Sequence, residues 1–234
     1  MLLTMKYFVL IIAVAMSPSA WAANKEPLIA NAIIEGAIRF SLKKLTGELT
    51  RVDLEKIRFL NLGNTPIRNE NLHELTKLTK LTSLGLYNTN LTDSGLREVA
   101  KLHHLKRLSL TGTGITDTGL RELARLTKLK RLYLAKTRIS DAGLRTVAEL
   151  DQLQRLGLLG TPITDTGLKE LSKLHQLEVL DLNHTRITDT GLKKLAQLPQ
   201  LVGLYLSDTQ VTKAGVVQLQ KELPKCLIDH DFSP

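Results

Sequence analysis

Hydrophobic and polar positions along the chain change period in a regular way. Between Leu108 and Leu126, leucines first alternate with other residues and then recur every three residues. The alternation predicts a short strand with Leu108 and Leu110 facing inward. The spacing of Leu120, Leu123 and Leu126 predicts a short helix with one apolar face. This stretch therefore predicts a strand, a turn and a helix in sequence.

The same pattern recurs seven times at a period of 24 residues, as L-x-x-L-x-L-x-x-T-x-I-[TS]-D-x-G-L-x-x-L-A-x-L-x-x. The units are 57–80, 81–104, 105–128, 129–152, 153–176, 177–200 and 201–224. No single unit can bury its leucines, so neighbouring units must stack. We predict an α/β fold, a right-handed horseshoe-shaped solenoid. One parallel sheet lines its concave face and short helices form its convex face.

These residues resemble leucine-rich repeat proteins. The T-x-I-T-D-x-G-L-x-x-L form is similar to bacterial GALA-type repeats and to the cysteine-containing repeats of F-box adaptors. The resemblance covers about residues 26–230. It implies a curved α/β solenoid whose inner sheet binds other macromolecules, most often proteins.

The two ends of the chain depart from the repeat. Residues 1–22 carry Lys6, a short apolar run and Ala20-Trp21-Ala22, which is typical of a signal peptide cleaved after Ala22. Residues 23–56 are predicted to be an N-terminal helical cap, with a helix over 28–45 stopped by Gly47 and a capping box at Thr50–Asp53. Residues 225–234 are predicted to form a C-terminal cap and tail.

Three recurring residue types have predicted structural roles. A threonine holds the ninth position of every unit and is expected to form a structural ladder by bonding to backbone: Thr65, Thr89, Thr113, Thr137, Thr161, Thr185 and Thr209. An aspartate precedes most of the helices and is expected to cap them: Asp93, Asp117, Asp141, Asp165 and Asp189. A glycine two residues later is expected to let the helix approach the strand layer.

Positions that the pattern leaves free on the strands should form the concave surface. The third position carries Arg107, Arg131 and Arg155 in successive units, and the second carries Lys106 and Lys130. Because adjacent strands lie about 4.8 Å apart, the three arginines are expected to stand in one column. Two interpretations remain open here. The column is either a binding patch for a negatively charged partner or a set of solvated stems that cover apolar sheet.

The concave face is predicted to change character toward the C-terminus. Asp181 and Asp208 make the last rows acidic. Tyr87, Tyr133 and Tyr205 are expected to project from the same face. Tyrosine and arginine are enriched at interface hot spots, and the mixed charge suits a protein partner better than a uniform polyanion.

Composition narrows the function classes further. The formal charge of +9 favours acidic partners or anionic surfaces. Cys226 is the only cysteine, so no intramolecular disulfide can form. The spacing of Leu223, Cys226 and Ile228 predicts a last partial strand with Cys226 at a buried leucine position. No nucleophile elbow, phosphate-binding loop or zinc-ligand pattern is present. We therefore expect no enzyme activity, no cofactor and no metal site.

The leading interpretation is an exported, periplasmic or secreted, recognition module that binds another protein with an acidic patch through its concave face. One alternative is a binder of anionic envelope polysaccharide or lipid head groups. Another is an adaptor in a ubiquitin-ligase-like complex, although no F-box is visible before Ile57. Nucleic acid is not an expected partner, and no transmembrane segment is expected after signal cleavage.

Overall fold

The computed structural model describes residues 26–232, so the predicted signal peptide lies outside the described residues. The strands are β1 Phe59–Asn61, β2 Ser83–Gly85, β3 Arg107–Ser109, β4 Arg131–Tyr133, β5 Arg155–Gly157, β6 Val179–Asp181, β7 Gly203–Tyr205 and β8 Leu227–Asp229. The α-helices are α1 Ala32–Leu42, α2 Arg51–Lys56, α3 Asp93–Val99, α4 Asp117–Leu120, α5 Asp141–Val147, α6 Asp165–Leu171, α7 Asp189–Leu195 and α8 Lys213–Glu222. Two 3-10 helices cover Asn69–Lys77 and Arg121–Arg125.

The strands form one parallel sheet in the order of the chain, β1 to β8. Each strand from β1 to β7 pairs with the next at an offset of 24 residues, as Leu108 does with Leu132. The leucines that point inward form buried rows, and Leu108 and Leu110 are fully buried. The helices lie on the opposite side of this core, so the predicted leucine-rich repeat solenoid is confirmed.

The recurring aspartates join successive coils and do not cap their own helices. Asp141 is the first residue of α5, whose N-cap is Ser140. The Asp141 carboxylate instead accepts hydrogen bonds from the backbone N–H (2.8 Å) and the hydroxyl (2.5 Å) of Thr164 in the next coil. The helix-cap prediction is wrong because the preceding Thr or Ser occupies the N-cap position. It fails for Asp93, Asp117, Asp141, Asp165 and Asp189.

The recurring glycines make room for these aspartate bridges. A Cβ on Gly167 would collide with the Asp141 carboxylate of the preceding coil, and one on Gly119 would collide with Asp93. The close approach is therefore between neighbouring coils, not between helix and strand layer as expected.

Each threonine at the ninth position bonds within its own coil. The Thr137 hydroxyl donates to the Leu134 carbonyl at 2.6 Å, and the other six threonines make the same contact three residues back. The residue just before each threonine has a left-handed backbone, with φ between 52° and 67°. This conformation turns the chain out of the strand, and the hydroxyl bond satisfies the carbonyl that the turn leaves behind.

Helices α1 and α2 cover the N-terminal end of the core. α1 begins after Asn31, whose side chain accepts from two backbone N–H groups. It ends at Leu42, because Lys43 is left-handed (φ 55°), so it is shorter than the predicted helix and does not stop at Gly47. The Thr50–Asp53 capping box is present at the start of α2, as predicted.

The C-terminal end closes with β8. Ile228 pairs with Leu204, so Cys226 precedes the strand and the register predicted for these residues is wrong. β8 keeps the 24-residue offset from β7, so the strand lies two residues later than the spacing suggested. Cys226 is nevertheless buried, and desolvation raises the pKa of its thiol to about 11.

Candidate interaction surface

Three arginines stand in register on the concave sheet. Arg107 pairs with Arg131, and Arg131 pairs with Arg155, on strands β3, β4 and β5. All three side chains are exposed, and none forms an ion pair within residues 26–232. Neighbouring strands lie about 4.8 Å apart, so the guanidinium groups form a row of like charge. We call these three residues the basic column.

Lysines extend the basic column along one side. Lys106 and Lys130 precede the arginines of β3 and β4, and Lys106 is exposed while Lys130 is half-buried. The Lys106 carbonyl accepts from the backbone N–H groups of both Lys130 and Arg131, at 2.8 and 3.0 Å. This backbone pairing keeps the two lysines in register beside the arginines of the basic column.

Tyr133 lies beside the basic column on the concave face and contacts it directly. The guanidinium carbon of Arg107 lies 5.3 Å from the centre of the Tyr133 ring, within cation–π distance. On its other side the ring lies against Gly157, where a Cβ would be 3.2 Å from a ring carbon. The absence of a side chain at Gly157 leaves room for this ring beside the basic column.

The other two tyrosines lie apart from the basic column. The Tyr87 ring covers Gly63 near the N-terminal end, and its hydroxyl accepts from the Asn61 amide at 3.2 Å. Tyr205 lies on β7 between Asp181 and Asp229. Tyr133 is thus the only one of the three on a strand of the basic column.

An acidic corner occupies the C-terminal part of the concave face. Asp181 is half-buried, and desolvation raises the pKa of its carboxyl although the Asn183 N–H donates to it at 3.1 Å. Asp208 contacts the His184 ring at 3.2 Å, and its N–H donates to Asp231 at 2.5 Å. That backbone hydrogen bond lowers the pKa of Asp231. Within the described residues, no group of three His, Cys, Asp or Glu side chains could hold a metal ion.

Sequence reasoning assigned no role to the apolar residues that share the row of the basic column. The third strand position carries Phe59 on β1, Val179 on β6 and Leu227 on β8, and both Phe59 and Leu227 are exposed. The 24-residue period places Phe59 and Val179 in this row. Leu227 continues the same period, 24 residues after Gly203, although the spacing of Leu223, Cys226 and Ile228 had predicted an earlier strand.

A parallel sheet backed by short helices, with stacked leucine rows, defines a leucine-rich repeat solenoid. The family model described as "Leucine-rich repeat region" matches residues 49–229. The chain therefore belongs to the leucine-rich repeat family, whose members generally bind other proteins and are typically not enzymes. No curated protein sequence matches the chain significantly.

Solved structures show the same fold. An internalin C2 from Listeria monocytogenes superposes with a TM-score of 0.64 and 23% identity, over 87% of this chain and 95% of the internalin. A leucine-rich repeat protein of Leptospira interrogans gives 0.59 and 28% identity, over 76% of this chain and 44% of that one. An L. monocytogenes internalin, inlF, gives 0.51 and 18% identity, over 92% and 99% of the two chains. No helix within residues 26–232 is long and apolar enough to cross a membrane.

Proposed function

We propose that this chain is an exported recognition module that binds another protein through its concave sheet. The basic column and the Tyr133 ring receive an acidic patch of the partner. The acidic corner around Asp181 and Asp208 contacts basic residues of the same partner. The export step rests on the signal-like residues 1–22.

The basic column is the observation that carries this proposal. Like charges directly opposite on neighbouring strands are destabilising, and here two such pairs follow one another. No carboxylate within residues 26–232 forms an ion pair with any of the three arginines. An arrangement of like charges that costs stability and has no internal ion pair is best explained by an anionic group from outside.

The distribution of charge favours a protein over a uniform anionic polymer. A polysaccharide or a row of lipid head groups long enough to follow the whole sheet would meet Asp181, Asp208 and Asp229 at the C-terminal end. A folded protein can present both signs of charge to one surface. It also supplies apolar side chains for Phe59 and Tyr205.

The finer repeat class is part of the proposal. The T-x-I-T-D-x-G-L-x-x-L form supports a GALA-type assignment. In this chain the aspartate of that form bridges successive coils, as Asp141 does to Thr164. An adaptor role in ubiquitin transfer is less well supported. The described segment before β1 contains only α1 and α2, which cover the core and offer no separate F-box domain.

The test is a capture experiment with the form that starts at Ala23. The R107E/R131E/R155E variant removes the basic column, and R121E/R125E/R145E makes the same charge change on exposed convex positions. We expect wild type and the convex variant to capture the same protein from envelope extract or culture medium, and the concave variant to lose it. Circular dichroism confirms that each variant folds.

Two results would contradict the proposal. Equal capture by both triple variants would show that the basic column is only a solvated surface. Capture of anionic polymer alone, lost steeply as ionic strength rises, would replace the protein partner with a polyanion.

Export is tested on the full chain expressed in a bacterium with a secretory pathway. We expect the mature protein outside the cytoplasm, with Ala23 as its first residue by mass spectrometry. A charged residue at the predicted cleavage site, as in A22D, should block processing. A cytoplasmic chain that retains Met1 would contradict the export step.

A further inference from the structure

The N-terminal end of the solenoid carries exposed apolar residues on and after α1, on α2 and at the start of β1. Four of the large exposed hydrophobic residues lie within a 20-residue stretch: Phe40 (80% exposed), Leu45 (77%), Val52 (61%) and Phe59 (53%). We call these four residues, with the cations Lys43 and Arg51, the N-terminal end face. A capping element is expected to turn a polar face outward.

The path of α1 explains why these residues come together. The carboxylate of Glu74, in the 3-10 helix Asn69–Lys77, accepts from the Ala30 and Asn31 N–H groups at 2.9 and 3.0 Å. At the other end of the helix, the Ser41 hydroxyl donates to the Phe59 carbonyl at 3.2 Å. α1 thus crosses the whole end of the core. It buries Ile34 and Ile38 and exposes the opposite side.

The exposed side of α1 is itself almost without polar groups. Ala32, Gly36 and Phe40 follow one another at four-residue spacing, and all three are exposed. Lys44, in the loop after α1, contacts Asp53 of α2 at 2.7 Å. Leu45 and Val52 are the sequence neighbours of these two residues. The exposed apolar residues thus belong to elements that adjoin on this end, α1, the loop after it and α2.

Residues 40–59 carry five cationic side chains and three carboxylates, two of which, Glu48 and Glu55, are exposed, so the net charge of this stretch is +2 (5 − 3). Glu35 is paired with Arg39 at 2.8 Å, and Asp53 is paired with both Lys44 and Lys56. Lys43 and Arg51 are exposed and form no ion pair within the described chain. The net positive charge and the unpaired Lys43 and Arg51 favour an anionic surface over a second copy of this end.

We propose that the N-terminal end face binds the surface of an anionic lipid bilayer. Phe40, Leu45 and Val52 enter the interfacial region, and Lys43 and Arg51 contact lipid phosphates. Apolar residues bordered by cations are the combination by which peripheral proteins bind anionic membranes. With this end on the bilayer, the concave sheet stays free for a partner.

The test is co-sedimentation with vesicles, using the form that starts at Ala23. This form keeps every described residue and removes the apolar run of residues 7–16, which would insert by itself. We expect binding to phosphatidylcholine vesicles that contain about 30% phosphatidylglycerol, and at least about tenfold weaker binding to pure phosphatidylcholine. F40S/L45S should weaken binding by about tenfold or more, since it removes two apolar contacts. K43E/R51E should weaken vesicle binding to a similar extent, because it replaces two cations by two carboxylates.

A matched variant at the opposite end isolates the surface. V217S/L227S makes the same kind of change at residues that are 48% and 74% exposed, and should leave vesicle binding within about twofold of the parent. Unchanged binding by F40S/L45S would overturn the proposal, as would the absence of any binding by the parent. If F40S/L45S instead turned a dimer into a monomer without affecting vesicles, the face would be a self-interface. Loss of binding only in R107E/R131E/R155E would move the lipid to the concave sheet.

Discussion

The hydrogen bonds that Asp141 accepts from the next coil are predicted to be a main contribution to the stability of the coil stack. Its carboxylate accepts two hydrogen bonds from Thr164, at 2.8 Å from the N–H and 2.5 Å from the hydroxyl. The same pair of contacts recurs at Asp93, Asp117, Asp165 and Asp189. Replacing Asp141 therefore tests a contact that recurs between successive coils along the array.

The expected magnitude follows from what D141A removes. Hydrogen bonds to a charged acceptor contribute about 1.5–3 kcal/mol each, and partial exposure places these at the lower end. The Thr164 N–H would also lose its partner in a half-buried site. We expect D141A to lower the free energy of unfolding by about 3 kcal/mol.

D141N should cost less because the molecule already contains the amide form of the bridge. Asn69 holds the equivalent place in the first coil, where its Oδ1 accepts from the Thr92 N–H (3.1 Å) and its amide donates to the Thr92 hydroxyl (2.7 Å). Both contacts survive without the charge. We expect a loss of about 1 kcal/mol for D141N.

Urea unfolding followed by circular dichroism measures these differences. The control is D151A, since Asp151 is exposed and forms no ion pair among the described residues. It should change stability by less than about 0.5 kcal/mol. A D141A variant as stable as D151A would refute the bridge as a source of stability. So would equal losses for D141A and D141N.

Further predictions concern glycine, acid and thiol positions. G167A should lower stability by about 2 kcal/mol, because its Cβ would displace the Asp141 carboxylate, whereas G36A, in open space on α1, should raise it by up to about 1 kcal/mol in the same urea assay. Desolvation raises the pKa of Asp181. The ionised carboxylate therefore lowers the free energy of unfolding above this raised pKa, and the loss disappears below the ordinary pKa of an aspartate. D181N should stabilise the protein at neutral pH but not near about pH 3. Cys226, with its pKa of about 11, should react with a thiol reagent at least about a hundredfold faster in urea than in buffer.

Most of the fold follows from the period of the apolar residues. Because the repeat length never varies between Ile57 and Leu206, the positions on neighbouring strands that pair are those with the same number in the unit. The register of Arg107, Arg131 and Arg155 was predictable for that reason. The same offset extends to β8, where Ile228 lies opposite Leu204. The prediction for Leu223, Cys226 and Ile228 was two residues off because it followed the local spacing of apolar residues instead of the period.

The role of the aspartates could not be derived from one unit alone. An acidic residue at the start of a helix is typical of a cap, and local spacing allows that interpretation. The competing hydroxyl at Ser140 lies one residue earlier, and the true partner of Asp141 lies 23 residues away, in the next coil. Only the stacked geometry brings Thr164 within reach. A contact between units is invisible to reasoning from each unit by itself.

The division between scaffold and surface residues explains why a charged column can persist on the sheet. Among the described residues, no buried side-chain nitrogen or oxygen lacks a hydrogen-bond partner, so leucine rows, aspartate bridges and threonine bonds account for the cohesion of the coils. The basic column contributes to none of these contacts. Its removal in R107E/R131E/R155E replaces one set of like charges by another and leaves the bridges intact. The fold should therefore survive that change, and any loss of partner binding reports on the surface itself.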